Sequence, residues 1–322
     1  MNENGRAALV MRKPVEKTDV ITVEMYSLLL DCCEKYYENL AWKFPDPCPD
    51  GHWCSGLHNG KFQLDIKFEI PTLHRDSYNG NITIPRLSYG GDVEFDQYAL
   101  LDLIEYVAHN SRDISNRHWH SYGRHDDLSF AETNEISHTF RDEINAIFQK
   151  VGLLYTLTDK MIVERIVEYS VATKDIETTV KTITEKGLKD LLEEALLLFR
   201  QPNPASRNDA VEKLWDALER LKTFYVSLDK KVSATRIVKD MSSGQAEFEE
   251  LFGAEFKALT DIGNNYRIRH HETNKIEIND LRHYDYFFNR CLALISTAIL
   301  YLQSSSGVEV ETQQDEDEEY PF

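Results

Sequence analysis

Past Thr173 the chain loses all sign of alternation and repeats its apolar residues at helical spacing almost to its end. Leu188, Leu191, Leu192, Ala195 and Leu196 form one stripe, which the Pro202-Asn203-Pro204 run breaks. Asn203 is placed to cap a following helix with Pro204 in its first turn. That helix carries Val211, Leu214, Trp215, Leu218, Leu221 and Tyr225. From Gly244 onward, Phe248, Phe252, Phe256, Leu259 and Ile262 share another stripe. Asn279 or Asp280 then caps a last helix with Tyr284, Phe287, Phe288, Cys291, Leu294, Ile295, Ala298 and Leu302. Such stripes must face one another to leave water, so residues 185–303 read as an all-α bundle of roughly four or five helices.

The first 170 residues read as a mixed α/β domain, so the chain as a whole is mainly α. A helix is expected from Val20 to Phe44, with Met25, Leu28, Leu29, Cys32 and Tyr36 on one face. A Pro- and Gly-rich break follows (Pro45, Pro47, Pro49, Gly51, Gly56). Phe62, Leu64, Ile66, Phe68 and Ile70 alternate with polar residues, the pattern of a half-buried strand ended by Pro71. Ile82 and Ile84, before Gly90-Gly91, suggest a short strand and turn. Phe95 to His109 reads as a helix, then a His-rich loop, then a helix from Ile136 to Val151. Leu154 to Leu157, a turn at Thr158-Asp159-Lys160, and Met161 to Ile166 predict a β-hairpin.

The formal net charge of −19 argues against wrapping nucleic acid over the whole surface, though a local basic groove is compatible with it. Part of the excess sits in residues 304–322, where Glu309, Glu311, Asp315, Glu316, Asp317, Glu318 and Glu319 predict a disordered acidic tail. No apolar run is long enough to span a membrane. Met1 to Met11 lacks a secretory pattern, and five cysteines in a chain of 322 residues read as reduced, so a cytoplasmic protein is expected.

One segment concentrates proton-transfer and phosphate-binding chemistry: Asn264-Asn265-Tyr266-Arg267-Ile268-Arg269-His270-His271-Glu272. If the preceding helix continues through Glu272, then Asn264, Arg267 and His271 share one face, with Asn265, Arg269 and Glu272 on the adjoining one. Histidine can take the proton of an RNA 2′-hydroxyl or return one to the leaving oxygen near neutral pH. Arginine can neutralise the charge that builds on phosphorus. Arg267, Arg269, His270 and His271 are therefore the candidate catalytic residues, and Asn264, Asn265 and Lys275 the candidate RNA- or phosphate-binding ones. The same residue types also suit a plain helix end, where cations complement the dipole.

Two stretches of the C-terminal half resemble a HEPN (higher eukaryotes and prokaryotes nucleotide-binding) domain of the kind found in bacterial abortive-infection proteins of the AbiJ type. They are Ala210-Val211-Glu212-Lys213-Leu214-Trp215-Asp216-Ala217-Leu218-Glu219-Arg220-Leu221-Lys222-Thr223, and Leu259 to Asn265 running into Ile268-Arg269-His270-His271-Glu272. Asp285-Tyr286-Phe287-Phe288 fits the same pattern, and the resemblance covers residues 185–303. Phe140-Arg141-Asp142-Glu143-Ile144-Asn145 and the Leu154-to-Ile166 hairpin are similar to regions that precede such domains. The resemblance implies a dimeric, metal-independent ribonuclease acting in anti-phage defence. The family motif sets four to six positions between its Arg and His, whereas only three residues separate Arg267 from His271. RNA and a second copy of the chain are the expected partners. The alternative is a non-catalytic dimerisation or partner-binding protein whose bundle is structural.

Other constellations carry less. Arg112 and His118 match the family spacing but lie in the N-terminal half. His118, His120, Arg124, His125 and Asp126 suit phosphate or a metal, or ordinary packing around Trp119 and Tyr122. Cys48, His52, Cys54 and His58 are zinc-type ligands, but one residue between His52 and Cys54 strains a shared tetrahedron. Cys32-Cys33 reads as helix packing. No nucleotide-binding loop, nucleophile elbow or His-Glu-x-x-His helix is present, so no cofactor and no metal is assigned.

Overall fold

The computed structural model describes residues 15–51, 53–85, 94–168, 170–269 and 274–314, with side chains given up to 302. The chain divides into two compact units, Met1–Ile166 and Val167–Phe322. Helices dominate, beside a small antiparallel sheet. No described helix is long and apolar enough to cross a membrane.

In the first unit, α1 (Val23–Lys35) begins where Thr22 accepts a hydrogen bond from the Met25 amide, and it buries Tyr26, Leu29, Leu30, Cys32 and Cys33. The longer helix expected up to Phe44 stops at Lys35. A 3-10 turn (Tyr37–Leu40) and the strand β1 (Pro45–Pro47) take its place. β2 (Cys54–Leu57) leads into α2 (Asn59–Glu69), which corrects the strand expected over Phe62 to Ile70. The physical reason lies in the pattern itself, because alternate positions include an i, i+4, i+8 subset. Phe62, Ile66 and Ile70 form that subset and are buried, while Leu64 and Phe68 are exposed. His58 caps the helix by accepting from the Lys61 amide.

The strand expected at Ile82 and Ile84 reduces to one isolated bridge, Arg75 to Ile82, and Gly90-Gly91 lies outside the described residues. α3 (Gln97–Asn110) is capped by Asp96 and buries Leu100, Leu101, Ile104 and Val107. The His-rich segment is a hairpin rather than a loop, β3 (Ile114–His120) and β4 (His125–Phe130). With β1 and β2 it completes an antiparallel sheet of order β1-β2-β4-β3. α4 (Glu135–Val151) ends at left-handed Gly152, and the short hairpin of β5 (Tyr155–Leu157) and β6 (Val163–Arg165) follows where expected. Tyr26, Phe62, Phe140 and Phe148 from α1, α2 and α4 centre this core.

The second unit is all helical among its described residues. α5 (Lys174–Lys181) had no clear apolar stripe in the sequence; Thr173 caps it and Val180 anchors it. α6 (Lys186–Arg200) is capped by Glu185, and α7 (Pro204–Leu221) by Asn203 with Pro204 in its first turn. α8 (Lys230–Ser242), also unexpected, is capped by Asp229. α9 (Ala246–Asn265) precedes α10 (Leu281–Gln314), whose first turn receives Asp280 at the Arg282 amide. α10 thus runs into the stretch expected to be a tail, and residues 315–322 lie outside the described ones. Leu192, Leu214, Leu218, Leu259, Phe288 and Ile295 are almost wholly buried, each removal from water contributing about 1.5–3 kcal/mol. Phe199 and Phe288 stack with centroids 3.7 Å apart.

Candidate phosphate-binding cleft

α9 stops at Asn265, so the helix expected to run on to Glu272 does not exist. Tyr266 is extended, and the chain turns back on itself: the Ile276 amide donates to the Asn265 carbonyl and the Arg267 amide to the Ile276 carbonyl. Ile268, 1 % exposed, is the apolar anchor that draws the segment off the helix axis and into the core. Burying it outweighs another helical turn through a stretch rich in polar and charged side chains. Asn264 and Arg267 therefore share no helical face. His270, His271 and Glu272 lie outside the described residues, so the proton-transfer half of the expected site has no geometry here.

The remaining expected residues separate into two groups. Arg267 pairs with Glu277 at 2.9 Å. Asn264 and Arg269, by contrast, line a cleft of about 500 Å³ with Trp215, Thr260, Lys230 and Glu219. Lys275 donates to the carbonyl of the cleft-lining Asn264, one of the carbonyls that lack a helical partner at the end of α9. Asn265 contributes its backbone carbonyl to the neck of the turn.

The far wall comes from α7 and the start of α8. Arg269 Nη2 donates to Asp216 Oδ1 at 2.8 Å. Lys222 donates to Glu219 and to Thr260 Oγ1, each at 2.6 Å, and Lys230 pairs with Glu219 as well. Burial pushes the Glu219 carboxyl up, but hydrogen bonds from Lys222 and Lys230 more than offset it and leave the group below the usual carboxylate range. One close glycine approach and one hydrogen bond set the wall between α7 and α9. A Cβ on Gly263 would stand 2.5 Å from the Trp215 ring, and Trp215 Nε1 donates to the Leu259 carbonyl at 3.0 Å. α7 and α9 can approach this closely only with glycine at 263.

Lys222, Lys230, Thr260, Asp216 and Glu219 were not among the residues expected from the sequence. A signal was there: Trp215, Glu219 and Lys222 recur at i, i+4, i+7, a polar edge beside the apolar stripe of α7.

The other constellations resolve differently. Arg112 stacks on the Trp42 ring at 3.6 Å, and His118 is exposed on β3, so this Arg-His pair forms no site. Trp119 and Tyr122 are 59 % and 84 % exposed, which rules out packing around them. The cysteine-histidine quartet weighed and set aside in the sequence is not assembled among its described members. Cys54 Sγ donates to the Gly56 carbonyl, His58 caps α2, and His52 lies outside the described residues. Cys32 and Cys33 are buried in helix packing, as expected.

No protein-family model matches the chain, and no curated protein or solved structure is significantly similar to it.

Proposed function

We propose that the protein binds RNA through the phosphate backbone at the cleft between α7 and the turn after α9. The observation that carries this reading is a local set of cations in a chain of net charge −19: Lys230 and Arg269 line the cleft, buried Lys222 backs it through Glu219 and Thr260, and Lys275 meets the Asn264 carbonyl. Arginine and lysine recognise phosphate oxygens, and arginine does so in a forked, directional way. The sequence resemblance to HEPN domains, with an Arg and His run at the same place, supports a metal-independent ribonuclease acting in anti-phage defence. In that mechanism a phosphate displaces Asp216 from Arg269, and Arg269 then holds the charge that grows on phosphorus. His271, with His270 as its neighbour, moves the proton between the 2′-hydroxyl and the leaving oxygen. A symmetric dimer presenting two such clefts would double the positive groove.

The test is incubation of the purified full chain with single-stranded and structured RNA, without added divalent cation, beside Arg269→Ala and His271→Ala. The ribonuclease reading expects cleavage that both substitutions abolish while the helical circular dichroism is retained.

A specific observation favours a second reading, a non-catalytic partner-binding module. Arg267, Arg269, Lys222 and Lys230 each already meet a carboxylate of the same chain. RNA binding without cleavage would support a recognition module, and neither binding nor cleavage would leave the interaction-protein reading standing.

A further inference from the structure

Four metal-ligating side chains that sequence order scatters between positions 48 and 127 meet at one end of the sheet of the first unit. Cys48 Sγ, one ring nitrogen each of His120 and His125, and a carboxylate oxygen of Asp127 all lie within 4.8 Å of one another. The register explains how. His120 and His125 are direct cross-strand partners at the mouth of the β3–β4 hairpin, so their side chains share a face. Asp127 lies two residues beyond His125 on the same strand and therefore on that face too. Cys48 follows β1 and is held by its amide donating to the Trp53 carbonyl at 2.9 Å.

The hydrogen bonding around the cluster leaves its centre negative and unsatisfied. His125 Nδ1 lies 3.1 Å from the Gly123 carbonyl, which can only accept, so a neutral His125 carries its proton on Nδ1 and offers the Nε2 lone pair to the cluster. That lone pair stands 3.3 Å from Asp127 Oδ1, and neither atom has a hydrogen-bond partner although both are buried. Asp127 is only 7 % exposed. A lone pair facing a carboxylate oxygen in a buried site is repulsive unless a proton or a metal ion stands between them. His120 shows the complementary arrangement. Its Nδ1 faces Cys48 Sγ at 3.3 Å and Asp127 Oδ2 at 3.9 Å, while Nε2 turns outward to Asp50 at 3.8 Å. A histidine that offers one nitrogen inward and holds the other against a carboxylate or a carbonyl is the usual outer arrangement of a metal ligand. Gly123 is required as well, because a Cβ there would stand 2.4 Å from the His125 ring.

We propose that Cys48, His120, His125 and Asp127 form a zinc site that staples the β3–β4 hairpin to the segment following β1. Two donor separations of 3.3 Å, Cys48 Sγ to His120 Nδ1 and His125 Nε2 to Asp127 Oδ1, match the edges of a zinc tetrahedron, roughly 3.3–3.6 Å, and the remaining separations, all within 4.8 Å, would tighten on binding. The donor set of one thiolate, two neutral imidazoles and one carboxylate selects zinc over magnesium or calcium. Its two negative charges neutralise a dication, with the Cys48 thiol proton released to solvent on binding. Four protein ligands close the shell, which makes the site structural rather than catalytic. It is separate from the cleft of the second unit, so either reading can fail alone.

The test begins with metal analysis of the full-length protein purified without a histidine tag, then chelator-stripped and titrated with zinc and with cobalt(II). The expected result is one tightly held zinc per chain and, with cobalt, an intense visible spectrum of tetrahedral type with a thiolate charge-transfer band. Cys48→Ser removes that band and Cys54→Ser keeps it. Asp50→Asn, which alters only the outer partner of His120, weakens zinc binding by roughly 10–100-fold. If Cys48→Ser fails to fold, thiol alkylation of the native chain decides: zinc should protect Cys48 and leave the rate at Cys54 unchanged. Wild-type protein that binds neither zinc nor cobalt, or alkylation of Cys48 at the same rate with and without zinc, overturns the proposal.

Discussion

Arg269 on the turn after α9 and Asp216 on α7 are joined by a 2.8 Å ion pair across the mouth of the cleft. Both side chains are 39 % exposed, so the pair contributes little to stability, at most about 1 kcal/mol. Under the proposed function its consequence is for binding, since an incoming phosphate would compete with Asp216 for the guanidinium. Asp216→Asn should therefore raise RNA affinity by about 3–10-fold, the equivalent of up to about 1.4 kcal/mol. Fluorescence anisotropy with labelled single-stranded RNA reads this directly, and a loss of affinity would show that Asp216 orients Arg269 rather than occupying it.

The close approach of Gly263 to Trp215 holds α7 against α9. Gly263→Ala pushes a methyl group into the indole ring and should destabilise the second unit by about 1–3 kcal/mol. Urea unfolding followed by tryptophan fluorescence checks it, and an unchanged midpoint would mean that the wall yields freely.

Glu185 caps α6 and pairs with Arg220 at 2.7 Å, and that hydrogen bond, joined by the Leu188 and Gly187 amides, lowers its carboxyl to about 2 against an ordinary value of 4.5. A carboxylate depressed on folding adds stability that is fully present above the unfolded value and is lost as pH falls through the folded one. The second unit should accordingly lose stability as pH drops from about 4.5 towards about 2. Glu185→Gln should flatten that part of the pH profile while leaving the neutral-pH fold intact. A profile of identical steepness in the variant would assign the acid sensitivity to other carboxylates.

Phe288 stacks on Phe199 and is wholly buried at the centre of the bundle. Phe288→Ala should cost about 3–5 kcal/mol in equilibrium unfolding, whereas Leu300→Ala on the exposed side of α10 should change it by less than about 0.5 kcal/mol.

The helices of the second unit were readable because a wide apolar stripe and a cap such as Asn203-Pro204 say the same thing locally. α5 and α8 were not; in α8, Val232, Ile237, Val238 and Met241 sit among Lys230, Lys231, Arg236 and Lys239 and leave only a weak stripe. The strand expected over Phe62 to Ile70 failed for a geometric reason: alternation contains every i, i+4 pair, and the core selected the helical subset. The end of α9 was misplaced because Ile268 acts through long-range burial, which no local spacing reports. The cysteine-histidine cluster was half visible. Cys48, His120 and His125 each stood out, but cross-strand register, a property of pairing between distant segments, is what unites them with Asp127.

In the proposed function, Arg269 and its neighbouring cations hold an RNA phosphate in the cleft of the second unit. Binding of single-stranded RNA should be measured as a function of salt for the wild type and Arg269→Ala, with correct folding verified by circular dichroism. Phosphate binding at Arg269 predicts a wild-type affinity whose logarithm falls linearly with log salt, by about 0.7 per phosphate contacted, and a weaker complex of shallower slope in the variant. Wild-type protein that binds no RNA at low salt, or that binds with the same affinity and slope after Arg269→Ala, would contradict it.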